Sequence, residues 1–203
     1  LIEEALANLG LKSKRAHNIL DRDGYFAGDD KARADGVNQM FADPDVNAIM
    51  SVRGGWGTAR ILPHLDFDLI GRNPKALIGY SDITALHLAI HAKTGLVTFH
   101  GPVGISAWGK QSLETFKPLL FDAATPDYVN PVASEDRLVQ RKWRTQTITP
   151  GTARGRLLGG NLTVMTALVG TPYLPDFDGA ILFFEDIDEA VYRIDRMLTQ
   201  LGQ

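Results

Sequence analysis

The sequence predicts an α/β fold with a doubly wound, mainly parallel sheet in its N-terminal part, and three observations carry that reading. Apolar runs of strand length alternate with helix-like stretches between residues 29 and 99. Two of those runs end at glycine-marked corners that pass at once into a helix, so one strand–loop–helix plan occurs twice. The composition, with 44% hydrophobic and 22% charged residues in a chain of 203, is that of an ordinary globular protein able to bury a sizeable core.

Residues 1–9 have the apolar spacing of an amphipathic helix and stop at Gly10, and 15–20 read as a short strand before the turn-rich Asp21-Arg-Asp-Gly24. A helix is expected over 29–42, where Asp29 and Asp30 in the first turn complement the helix dipole. Asp43-Pro-Asp45 breaks the chain before the β-like run 46–52, and Arg53-Gly-Gly-Trp-Gly57 then opens a helix over 58–62. The second unit comprises strand 75–80, an elbow at Ser81, a helix over 83–93 and Gly95 as its stop, with a further strand at 96–99. In such sheets ligands sit beyond the carboxyl ends of the strands, where both the glycine loop and Ser81 fall.

From about Trp108 the texture changes. Residues 122–151 are rich in Pro, Asp, Thr and Asn, and the alternation over 138–148 predicts antiparallel strand. The expected division is a Rossmann-like or flavodoxin-like domain over 1–107 and a strand-rich linker over 108–155. A smaller mixed α/β domain, incomplete in this chain, then begins at 156. Its expected elements are 156–158, a turn at Gly159-Gly-Asn161, a helix over 162–169, strand 180–185 and a helix over 188–201. Both ends read as cut, since the chain begins inside a helix pattern without Met and stops just after another helix.

The net charge of −3 gives no electrostatic reason to expect nucleic acid or an anionic membrane as partner. The chain contains no cysteine, which excludes disulfides and thiolate chemistry and fits a reducing, cytoplasmic setting. Its apolar runs fall short of the ~20 residues that span a bilayer.

Ser81 is the candidate nucleophile, because a serine on a strand-to-helix elbow is pushed clear of the backbone while the next amides point at its reacting group. Capping of the adjoining helix is the other role open to it. The glycines of residues 53–57 suit a phosphate cradle, half of an oxyanion hole, or a plain tight turn. Glu185 ends the apolar strand, where a carboxylate can orient an imidazole as the acid of a serine triad. The acidic set Glu185-Asp-Ile-Asp-Glu189 lacks the spacing of a calcium loop, and helix N-terminal charge suits Asp186, Asp188 and Glu189. His87 and His91 stand one helical turn apart without an evident third ligand, and His100 either lines the site or is structural. No metal or cofactor is expected.

Taken together, Arg53-Gly-Gly-Trp-Gly57, Leu77-Ile-Gly-Tyr-Ser-Asp-Ile-Thr84, Thr98-Phe-His-Gly-Pro102, Gly159-Gly-Asn161 and Phe184-Glu-Asp186 with Tyr192-Arg-Ile-Asp-Arg196 resemble the LD-carboxypeptidase family of serine peptidases. Order and spacing agree over nearly the whole chain. By that resemblance Ser81 matches the nucleophile and Glu185 the triad acid. The amides of Gly55 and Asp82 match the oxyanion donors, and Trp56 and Asn161 look like substrate contacts. The family's third triad member is a histidine downstream of residues 192–196, which none of the five histidines present matches. The resemblance implies a serine carboxypeptidase that releases terminal D-Ala from an L,D-linkage in murein tetrapeptides by acyl-enzyme chemistry, acting as a cytoplasmic homodimer. A microcin C-type immunity peptidase that cleaves a peptidyl-nucleotide amide is the alternative within the family. A non-catalytic small-molecule binding protein is the alternative outside it.

Overall fold

The computed structural model describes residues 2–125, 127–129 and 145–203. In chain order the first part runs α1 (Ile2–Asn8), α2 (Asp30–Ala42), β1 (Ala48–Met50), α3 (Thr58–Ile61), α4 (Phe67–Arg72), β2 (Ala76–Gly79), α5 (Thr84–Thr94), β3 (Phe99–His100) and α6 (Lys110–Leu120). The second part runs β4 (Arg156–Asn161), α7 (Leu162–Ala167), β5 (Ala180–Glu185) and α8 (Val191–Leu201). Strands β1, β2 and β3 form a parallel sheet in that order, with Ile49 opposite Leu77 and Gly79 opposite His100. Strands β4 and β5 form a separate parallel pair that brings Asn161 opposite Glu185. Parallel neighbours require crossover connections, and α5 and α7 supply two of them.

The centre of the molecule is α5. Its Ala85, Leu86, Leu88, Ala89 and Ile90 are all at most 5% exposed, so its first two turns are buried on every side and lie inside the core. Phe41 of α2, Ile70 of α4 and Val164 and Met165 of α7 belong to the same buried cluster. The segment after residue 156 therefore shares a core with the part that bears Ser81. Side-chain oxygens fix three helix starts: Asp29 accepts from the Ala32 amide, Asp66 from Leu69 and Asn161 from Val164.

His87 is a buried polar side chain on this apolar helix. Its Nε2 lies 2.9 Å from the Gly79 carbonyl, which also accepts from the Gly101 amide at 3.0 Å. A carbonyl only accepts, so Nε2 carries the proton, and Nδ1 is left buried without a partner among the described residues. Burial lowers the imidazole pKa from 6.5 to about 4, against the opposing effect of the Gly79 bond and with a small further push from His100.

Several expected elements differ in the structure. Residues 15–20 carry no strand, with 17–20 in turns, because they find no partner in the sheet. Gly159-Gly-Asn161 is not a turn but the end of β4, pressed against β5. The region read as linker contains α6, whose Phe116 is buried and packs edge-on against Trp108. Helix α4 has no counterpart among the elements expected from the sequence, and β3 begins at Phe99 because its register is set by pairing with Ile78. The strand expected over 138–148 falls largely on residues 130–144, outside the described residues, and 145–148 carry no strand.

This packing makes two outcomes testable. A Cβ at Gly159 would lie 1.8 Å from the Phe183 carbonyl oxygen, at a backbone φ of +149°. Gly159→Ala should therefore lower stability by about 3 kcal/mol, seen as a lower urea midpoint. Because the folded pKa of His87 lies below the unfolded value, the unfolded chain binds the proton more tightly. The stability contributed by neutral His87 is complete above pH 6.5 and lost as pH falls toward 4. Urea titrations across that window should show a loss of about 3 kcal/mol that His87→Gln removes.

Candidate active site

Ser81 stands two residues beyond the end of β2 and opens a 3₁₀ turn, Ser81–Ile83, that leads directly into α5. Its φ is +64°, a left-handed conformation that costs a residue with a side chain about 1–2 kcal/mol. The serine caps neither of these elements, since both the 3₁₀ turn and α5 lack a side-chain cap. The hydroxyl has no hydrogen-bond partner among the described residues and is only partly buried.

The glycine loop lies against this elbow. A Cβ at Gly54 would sit 2.9 Å from Ser81 Cβ and 3.1 Å from Ser81 Oγ, so only glycine permits the approach. Gly55 has a φ of +141° with open space where a side chain would stand, and Trp56 beside it is 48% exposed. The far end of the loop is fixed from below, where Arg33 donates to the Gly57 carbonyl at 3.2 Å. The guanidinium groups of Arg33 and Arg60 cover the Phe26 ring, and Asp30 bridges them. Asp82, next to Ser81, is 4% exposed and accepts from both the amide and the hydroxyl of Thr58.

Glu185 reaches the same end of the molecule through two contacts. It stands opposite Asn161 in the parallel pair, and the Asn161 amide donates to Thr84 Oγ1 at 2.9 Å, just past the Ser81 turn. Tyr80, His100 and Phe183 line the space between the sheets, with ring centroids 6.2 Å apart for the first pair and 5.2 Å for the second. Glu185 Oε1 is buried and has no partner among the described residues. Burial raises the Glu185 pKa, Asp186 adds to the rise, and a hydrogen bond from Asn161 opposes it. Asp186 is subject to burial as well, but hydrogen bonds from Thr163, from the amides of Ile187 and Thr163, and from Asn161 hold its carboxyl below the ordinary value.

Asn161 is 8% exposed, and its side chain is engaged with the Val164 amide and with Asp186. The imidazoles present are spoken for differently: His87 is fixed on Gly79, and His91 Nδ1 contacts the Leu96 carbonyl at 3.2 Å. Among the described residues no group of three or more His, Asp or Glu side chains is arranged to hold a metal ion. Sequence spacing did not reveal the bond from Thr58 to Asp82 or that from Asn161 to Thr84, since each joins residues far apart in the chain.

A partly buried, unpartnered hydroxyl on a strained elbow, a glycine loop pressed against it and a half-buried carboxylate at the same end make an arrangement chemically suited to serine acyl transfer. Comparison with known proteins identifies the family. Residues 1–101 match the LD-carboxypeptidase N-terminal domain and residues 154–203 the LD-carboxypeptidase C-terminal domain. A probable murein peptide carboxypeptidase of Bacillus subtilis is 42% identical over 201 residues, covering 97% of this chain and 60% of its own length. The microcin C7 self-immunity protein MccF of Escherichia coli is 33% identical over 206 residues, covering 88% of this chain and 58% of its own. The crystal structure of a muramoyltetrapeptide carboxypeptidase from Oxalobacter formigenes superposes with a TM-score of 0.81 at 31% identity, covering 99% of this chain and 65% of that one. The chain thus spans about 60% of the length of the curated relatives it matches, and within that span it belongs to the LD-carboxypeptidase family of serine peptidases.

Proposed function

We propose that the protein is a serine carboxypeptidase that cleaves the L,D-peptide bond releasing terminal D-Ala from murein tetrapeptides. The observation that supports this most is Ser81 itself, a strained, uncapped hydroxyl held against Gly54. In this reading Ser81 Oγ attacks the scissile carbonyl, forming a C–O bond. The main-chain amides of Gly55 and Asp82 receive the charge that develops on the carbonyl oxygen. The C–N bond then breaks, the D-amino acid leaves with the proton first taken from Ser81, and water hydrolyses the ester.

The proton acceptor is an imidazole oriented by Glu185, whose buried, unpartnered Oε1 suits a ring N–H. We assign it to a histidine downstream of residues 192–196 rather than to His87 or His91, both of which are engaged elsewhere. We read Trp56, half exposed on the loop beside Gly55, and Asn161, largely buried opposite Glu185, as substrate contacts. The domain matches at 1–101 and 154–203 support a nucleophile-bearing domain, a connection and a Glu185-bearing domain. The likeness to MccF favours a second substrate reading, a peptidyl-nucleotide amide cleaved by the same chemistry.

In the intact protein, Ser81→Ala should abolish D-Ala release from an L,D-linked tetrapeptide, with a loss on the order of a million-fold in turnover. The circular dichroism spectrum should be unchanged, and a chelator should leave the wild-type rate as it is. Wild-type turnover in the alanine variant would refute the serine mechanism. Activity confined to a peptidyl-nucleotide amide would move the substrate to the second reading.

A further inference from the structure

The residue after the nucleophile does more than offer its amide. Helix α3 begins at Thr58 directly after the glycine loop, and its N-cap residue, Gly57, provides no side-chain cap. Position 57 cannot carry one, since a Cβ there would lie 2.5 Å from the Phe26 ring. The cap comes from across the site: Asp82 Oδ2 accepts the Thr58 amide at 2.9 Å and the Thr58 hydroxyl at 2.6 Å. Both residues are less than 9% exposed.

A buried carboxylate is costly to keep, and here Oδ1 has no partner among the described residues, so the cost is only partly offset. What the arrangement provides is geometry. Gly55 and Thr58 lie on one short segment, so fixing Thr58 fixes the loop that presents the Gly55 amide. The Asp82 side chain sits on the same residue as the other donor amide. One residue thus carries one donor on its main chain and sets the position of the second through its side chain.

We propose that the Asp82 carboxylate is a positioning group that holds the glycine loop and the Ser81 elbow in the register at which both amides meet the developing oxyanion. This rests on the reading of Gly55 and Asp82 as oxyanion donors. Oxyanion stabilisation is steeply dependent on distance, and displacement of a catalytic group by about 1 Å can cost on the order of a hundredfold.

The test uses the intact protein, an L,D-linked tetrapeptide, and a fluorophosphonate that labels an activated serine without needing the peptide. Thr58→Val keeps shape and main-chain amide but removes the hydroxyl. It should lower kcat and the labelling rate by roughly tenfold or more, with KM little changed. Thr58→Ser should restore both, and Asp82→Ala should cost on the order of a hundredfold. Thr58→Val combined with Asp82→Ala should be no worse than Asp82→Ala alone, because the two act through one contact. Wild-type kcat in Thr58→Val, an equal loss in Thr58→Ser, or additive losses in the double variant would overturn the proposal. Ser81→Ala separates this from the reading beneath it. If that variant is inactive while Thr58→Val is unimpaired, only the positioning role fails; if it retains turnover, the serine mechanism itself fails.

Discussion

The main-chain N–H of Asn161 donates to Thr84 Oγ1 at 2.9 Å across 77 residues of sequence, and the geometry of the site depends on that bond. Thr84 is completely buried at the start of α5, so its hydroxyl is a fixed point of the core rather than a mobile surface group. A Cβ at Gly160 would stand 2.3 Å from that hydroxyl, which is why the strand can come close enough to donate. Because β4 and β5 pair in parallel with Asn161 opposite Glu185, anchoring Asn161 also places Glu185. The carboxylate that chain order puts far from Ser81 is thereby brought to the end of the molecule where Ser81 turns into its helix.

The elbow carries strain, and the surrounding structure supplies the restraint. Left-handed backbone at a serine persists only where neighbouring contacts outweigh its cost. Here Gly79 just before the elbow has its carbonyl held by both the Gly101 amide and His87, so the end of β2 is pinned on two sides. Beyond the elbow, Asp82 is tied to Thr58, and Ile83 is buried against the core. Ser81 is thus clamped before and after, while its own hydroxyl is left without a competing bond among the described residues.

What the sequence made legible were features with a local signature. An apolar run stopping at Gly79, a cluster of glycines at 54, 55 and 57, and a carboxylate closing an apolar strand can each be read within ten residues. Features decided by distant partners were not. Gly159-Gly-Asn161 has the composition of a turn, yet it continues β4, because the missing side chains allow close contact with Phe183 on one side and Thr84 on the other. Helix α4 is only Phe67–Arg72, too short for a period to emerge, and is set by the Asp66 cap and the burial of Ile70. Helix α6 carries Pro118 in its interior, which reads as a break, and its apolar side is fixed by Phe116 against Trp108. His87 gave no hint that it binds a main-chain carbonyl rather than a metal, since that carbonyl belongs to the preceding strand.

The two carboxylates at this end are held in contrasting ways, and the contrast bears on how the site works. Asp82 has one oxygen saturated by two donors from Thr58, which fixes its orientation whatever occupies the site. Glu185 has a buried oxygen without a donor among the described residues and a pKa raised by burial, which a hydrogen bond from Asn161 only partly offsets. A carboxylate in that condition gains most from an approaching N–H, and most of all from one on a group that becomes cationic during reaction. Asp82 therefore suits a fixed strut and Glu185 an acceptor whose partner strengthens as charge develops. The neighbouring Asp186, by contrast, accepts from the Thr163 hydroxyl and amide. Asp186 is thus fully engaged on both oxygens, while Glu185 keeps one buried oxygen without a donor among the described residues.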